Sequence, residues 1–255
     1  MSTRLQHATY HLGRVLRLVL ADHPRLYYPV MRRRPFYKDL LISDRTELVI
    51  EGYPRSGNTF AVAALQFAQP RALNIARHTH SPAQVIEAAR RRLPLLVLVR
   101  EPRDAAVSLV IREPPLSLEL ALRRYIRFHR RIHPYRASYV VGTFDEVTKD
   151  YSPVIERLNS AFGLKLAPFQ HTPANREAVF KIVEEMERRA FQGQLVETRV
   201  ARPSPVRAEP KARLLETLAG GRHRALLEDC DGVYQRFVSL AGDDGTRGEA
   251  AAQRG

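Results

Sequence analysis

One stretch, Glu47 to Phe60 with the sequence ELVIEGYPRSGNTF, narrows what this chain can fold into more than any other. An apolar, β-prone run breaks at Gly52, passes through small and polar residues, and restarts as AVAALQFA, so it reads as strand, loop and helix. That order is the local geometry that grips a phosphate group. Gly57 lets the backbone come close to an anion, and the amides of Ser56, Gly57, Asn58 and Thr59 stand at a helix N-terminus, where partial positive charge collects. Arg55 adds a cation in the middle of the loop.

The segments on either side repeat the alternation. After the loop helix, ALNIARHTHSP reads as a short second strand closing on His78 and His80, and PAQVIEAARRR as a helix with Pro82 in its first turn, where a missing amide does no harm. LPLLVLVRE is an unbroken apolar run of the kind found in strands buried on both faces. A turn and helix, EPRDAAVSLVIRE, follow it, then a long basic helix, SLELALRRYIRFHRRIH, and a further strand over ASYVVGTFDEV. SPVIERLNSAFG reads as a helix with Ser152 as N-cap and Gly163 as its stop. ANREAVFKIVEEMERRAFQG is a charged amphipathic helix, and Leu195 to Pro210 is a proline-rich basic loop near the site. Two closing helices, from about Lys211 to Ala219 and from Arg222 to Leu240, complete the series.

Strands separated by helices require right-handed crossovers, so the expected fold is α/β, a three-layer sandwich with a central, mostly parallel sheet flanked by helices. With 255 residues there is room for one such domain. We place it at 47–240, with 1–46 as a helical and irregular segment packed on it and 241–255 as a tail too polar to order.

Composition limits the partners. The formal charge of +14 calls for an anionic ligand or surface, and the single cysteine, Cys230, excludes an internal disulfide framework and thiolate-held zinc. VLRLVLA near the N-terminus is too short to span a bilayer and carries Arg17 at its centre, so we expect a soluble, cytoplasmic protein. Leu12, Val15, Leu16, Val19 and Leu20 recur at helical spacing, which fits packing on the domain first and peripheral membrane contact second.

Gly52 to Thr59 matches the spacing of the nucleotide-binding pattern G-x-x-x-x-G-K-[ST], which makes the expected fold P-loop-NTPase-like. However, Asn58 stands where the lysine belongs, and that argues against an ATP or GTP hydrolase. Taken together, YPRSGNTF, HTHSP and REPRDAAVS fall at the ends of successive strands. In that order the chain resembles the sulfotransferases that use 3′-phosphoadenosine 5′-phosphosulfate, PAPS. Their loops read close to YPKSGTTW, KTHLP and R-x-P-[KR]-D-x-x-x-S.

The resemblance implies roles residue by residue. Arg55, Ser56, Gly57, Asn58 and Thr59 would hold the 5′-phosphosulfate, with Arg55 in place of a lysine that steadies the leaving oxygen. Arg100 and Ser108 would hold the 3′-phosphate, and Phe60 and Phe144 would contact adenine. His80 would be the general base, and His78 replaces a lysine that contacts the transferring group. The family's C-terminal R-K-G-x-x-G-D-W segment is absent, and the loop bearing Arg207 and Lys211 is the candidate substitute. The expected reaction is sulfuryl transfer from PAPS, without a metal, to a hydroxyl or amine of a small-molecule, glycan or lipid acceptor, leaving 3′,5′-adenosine bisphosphate. A P-loop kinase of a small metabolite and a non-catalytic basic anion-binding protein are the rival readings. Nucleic acid is not an expected partner.

Overall fold

The computed structural model describes residues 20–242. The pattern built on Leu12, Val15, Leu16 and Val19, and the tail beyond Gly242, lie outside the described residues.

Four short apolar segments form strands: β1 (Leu48–Gly52), β2 (Ile75–Arg77), β3 (Leu95–Val99) and β4 (Val140–Thr143). They make one sheet in the order β2-β1-β3-β4, and every neighbouring pair is parallel. Between and around them run α1 (Pro24–Arg32), α2 (Asn58–Ala68), α3 (Pro82–Arg90), α4 (Pro102–Arg112), α5 (Leu118–Ile132), α6 (Phe144–Lys149), α7 (Ser152–Phe162), α8 (Pro173–Ala190), α9 (Ala208–Ala219) and α10 (Arg224–Gly242). Among the described residues no helix is long and apolar enough to cross a membrane.

Side chains alternate across a strand, so the sheet sends two sets of apolar residues in opposite directions. Val49, Leu95, Val97, Val99 and Val141 pack with residues of α1, α3, α4, α5 and α10. Leu48, Ile50, Leu96, Leu98 and Val140 pack with residues of α2, α7 and α8. The expected three-layer α/β arrangement is therefore the observed one. The segment before β1 is tied in as well, because Tyr27, Tyr28, Met31, Leu41 and Ile42 belong to the first of these cores.

The connection after β1 leads to α2 on one face, and that after β3 leads to α4 on the other. Adjacent strands whose connections diverge leave a crevice at their carboxyl ends, the place where open α/β sheets bind ligands. Gly52 keeps that crevice narrow: a β-carbon there would lie 2.5 Å from the Leu98 carbonyl oxygen.

Three local expectations differ. FDEV does not continue β4 but begins α6, because Thr143 and Glu146 form a reciprocal capping box that starts a helix at Phe144. Ser152 is the first residue of α7 and makes no cap; its amide bonds to the Asp150 carboxylate instead. Of the last two helices, the first begins three residues earlier than expected, at Ala208, and the second is shifted by two residues, to Arg224–Gly242.

Candidate active site

A cavity of about 1260 Å³ opens at the carboxyl ends of β1 and β3, and its walls include Arg55, Gly57, His78, His80, Arg100 and Arg112. The loop after β1 is wound tightly. Ser56 donates its amide to the Tyr53 carbonyl at 3.2 Å, and Arg55 and Gly57 both adopt positive φ, 71° and 92°. Glycine suits the second of these, since a β-carbon at Gly57 would also sit 3.2 Å from the Phe144 ring. The helices that follow the other three strands begin under a side-chain cap: Ser81 on α3, Glu101 on α4, Thr143 on α6. Helix α2 begins at Gly57 with no such cap, so its first-turn amides keep their donor capacity toward the cavity mouth.

Guanidiniums crowd this end of the molecule. Arg55 donates from Nε to Ser108 Oγ at 2.9 Å and from Nη1 to the Arg199 carbonyl at 2.9 Å. Arg100 donates to the Arg55 carbonyl at 3.0 Å and to Asp104 at 3.4 Å, and its guanidinium lies 4.0 Å from the centre of the Phe144 ring. Arg207 donates to the carbonyls of Val200 and Arg202, and Lys211 pairs with Asp104 at 2.9 Å. Burial, and then the like charges of Arg112, Arg207 and Arg100, push the Arg55 guanidinium down to about 9, still cationic at neutral pH. Cations packed together against carbonyl dipoles are a site prepared for an anion.

His80 is held as a neutral base. Its Nδ1 lies 2.9 Å from the Gly52 carbonyl oxygen, an acceptor that places the ring proton on Nδ1 and leaves the Nε2 lone pair available. Burial pushes its pKa down to about 4, the Gly52 bond working against the shift and Arg112, Arg124 and Arg55 adding to it. His78, with ring centre 6.1 Å away, lies well below the ordinary imidazole range, first through burial and then through the charges of His80, Arg77 and Arg112. Its Nε2 is buried with no hydrogen-bond partner among the described residues. A neutral His78 ring brings no positive charge to the cavity wall.

The turn carrying both histidines rests on Glu51. Its Oε1 accepts from the amide and hydroxyl of Thr79, each at 2.8 Å, and from Gln84 at 3.2 Å; its Oε2 accepts from the His80 amide at 2.9 Å. His78 and His80 have φ of 58° and 49°, a left-handed conformation costly for non-glycine residues, which these bonds pin in place. Burial raises the Glu51 carboxyl to about 7 and the donors from Thr79 and His80 pull it back.

The residues expected from sequence are thus gathered at one crevice, several of them bonded within the protein. The Asn58 side-chain amide donates to the Tyr53 carbonyl at 3.1 Å and staples the loop. Ser56 is fully buried, with its amide used in the turn and its hydroxyl without a partner among the described residues. Phe60 lines the cavity but is mainly packed, with ring centres of Phe180 and Phe169 at 5.8 and 6.2 Å. Thr59, Phe144 and Arg207 lie on the cavity wall. Ser108 accepts from Arg55 and so joins the first loop to α4.

Sequence reasoning passed over Glu51, Arg112 and the carbonyls of Arg199 and Val200. A lone carboxylate in the otherwise apolar strand LVIEG was a usable signal for the first. The others come together only through the fold.

No family model matches the chain, and no curated protein matches it. Among solved structures, the mouse sulfotransferase SULT7A1 complexed with PAP aligns with 80% of this chain and 95% of its own at 12% identity and a TM-score of 0.41, a likeness too slight to carry an argument about activity.

Proposed function

We propose that the protein transfers a sulfuryl group from PAPS to a hydroxyl or amine of an acceptor, with His80 as general base. The observation that carries this reading is a neutral histidine, its Nε2 free to take a proton, sharing one cavity with a cluster of guanidiniums around an uncapped helix N-terminus. The parts fit the donor. Arg55 and the α2 amides suit a 5′-phosphosulfate, while Arg100, Arg207 and Lys211 form a second cationic group suited to a 3′-phosphate. Phe144, already stacked on Arg100, offers a ring face to the purine.

When bound, PAPS supplies an activated sulfur whose bond to the bridging phosphate oxygen breaks as the acceptor oxygen or nitrogen bonds to it. His80 Nε2 receives the acceptor's proton. Arg55 stabilises the electron pair left on the bridging oxygen, which departs as 3′,5′-adenosine bisphosphate. Positioning and fixed charge account for the catalysis, as in phosphoryl transfer. The enzymes of this kind vary most in the loops that hold the acceptor, so the reading names no single acceptor.

Replacing His80 by alanine is expected to lower turnover by about 100-fold to 10,000-fold, the usual range for a general base, while leaving bisphosphate affinity within about a factor of two. Sulfuryl release from labelled PAPS in the presence of an acceptor panel measures the first and calorimetry the second. A variant that turns over like the parent removes His80 from the mechanism.

A further inference from the structure

Helix α4 brings a further cation to the wall that carries the two histidines. Arg112, the last residue of that helix, lines the cavity together with His78, His80 and Arg55. Its Nη1 donates to the Arg199 carbonyl at 3.4 Å, and Arg55 donates to that same oxygen at 2.9 Å. Two guanidiniums that share one acceptor stand side by side, and like charges so placed repel unless an anion joins them. The carboxylates near Arg112, Glu187 and Glu113, are set against Arg199 and Arg124 as well as Arg112: Arg199 approaches Glu187 at 3.9 Å and Arg124 approaches Glu113 at 3.8 Å. The positive field of Arg112 reaches Arg55, His78 and His80 alike.

We propose that Arg112 is a further catalytic residue, contacting the sulfuryl oxygens during transfer. The proposal rests on the sulfuryl-transfer reading for the identity of the anion, and on the shared Arg199 carbonyl for the existence of the site. Arg112 gives up no proton and forms no covalent bond. It balances the negative charge of a group held between Arg55 and His80. Glutamine at this position keeps a polar amide but removes the charge.

The test compares three ligands on the full chain by calorimetry: PAPS, 3′,5′-adenosine bisphosphate, which lacks the sulfuryl group, and inorganic sulfate. Arg112→Gln is expected to weaken PAPS and sulfate by about tenfold or more, as loss of a charge-assisted bond predicts, while bisphosphate affinity stays within about twofold. Arg112→Lys, which keeps the charge without the planar fork, is expected to fall between the parent and the glutamine variant. Equal weakening of PAPS and bisphosphate would reduce Arg112 to a support for the Arg199 loop, and unchanged PAPS and sulfate affinity would remove it from the site. If Arg112→Gln does not fold, the lysine variant decides by whether the preference for PAPS over bisphosphate drops or stays. Parent protein that binds sulfate through Arg112 yet ignores the bisphosphate would sink the PAPS reading and leave this anion site standing. Parent protein that binds neither overturns both.

Discussion

Glu51 and His80 depend on each other although 28 residues of chain separate the Glu51 carboxylate from the His80 amide it accepts. The carboxylate fixes a turn in which two histidines hold left-handed backbone angles, and the turn in turn presents His80 Nε2 to the cavity. Glu51→Gln would set a side-chain amide against some of the donors that the carboxylate now receives. We expect it to destabilise the fold by about 1–3 kcal/mol, the usual cost of a buried donor left unpaired. Turnover should fall on the order of tenfold, since a misplaced base loses efficiency, with bisphosphate affinity little changed. Urea denaturation and a split of kcat from the bisphosphate Kd check this; normal stability with normal kcat contradicts the role. At this scale the sequence was partly legible. That Arg55, His80 and Arg100 meet at one crevice could be read because short motifs carry their neighbours with them. The Asn58 side-chain bond to the Tyr53 carbonyl within its own loop, which competes with any ligand for that amide, was not legible from the motif. Arg112 could not be found, since its partner carbonyl lies 87 positions away.

The loop from Tyr53 to Gly57 joins β1 to α2 and carries the site's geometry as a unit. Gly57→Ala tests it. The alanine would have to adopt a φ of 92° and press its methyl against the Phe144 ring, 3.2 Å away. A left-handed conformation costs a residue with a β-carbon about 1–2 kcal/mol, so we expect a loss of stability of that size. Bisphosphate affinity should drop about tenfold as the loop amides shift. Thermal melts and calorimetry measure both, and a variant with parental values on each would show that the loop does not cradle an anion. Strands buried on both faces were readable from apolar runs such as Leu95–Val99. The start of α6 was not, because the β-prone residues before Thr143 masked a T-x-x-E helix signal that was present in the text.

Across the whole molecule, the excess of positive charge is divided between two uses. Along α5, Arg123, Arg124, Arg127 and Arg130 are met by Glu119, Glu113, Asp22 and Asp229, so much of this helix's charge is paired. Arg55, Arg100, Arg112 and Arg207 share the crevice wall, a grouping that composition alone could not have shown. Buried histidines set the acid limit of stability. His80 and His129 are both pushed down to about 4, mainly by burial, from an unfolded value near 6.5. The unfolded chain binds more protons in between, so their contribution is complete above pH ~6.5 and disappears as pH falls through ~4. For fully buried His129 this amounts to on the order of 3 kcal/mol. Glu51, raised to about 7, acts in the opposite sense, its contribution being lost as pH rises from ~4.5 through 7, and only partly offsets the histidines. The urea midpoint should therefore fall steadily from pH 7 to pH 4, and a flat profile would contradict the neutral histidines. The central claim, that the crevice receives a 3′-phosphorylated adenine nucleotide, is tested most directly by calorimetric titration with 3′,5′-adenosine bisphosphate beside ATP and AMP. Two cationic groups flanking one stacked ring predict binding of the bisphosphate at least about tenfold tighter than either of the others, the effect of one added charge-assisted contact. Equal affinity for all three, or a preference for ATP, would contradict it.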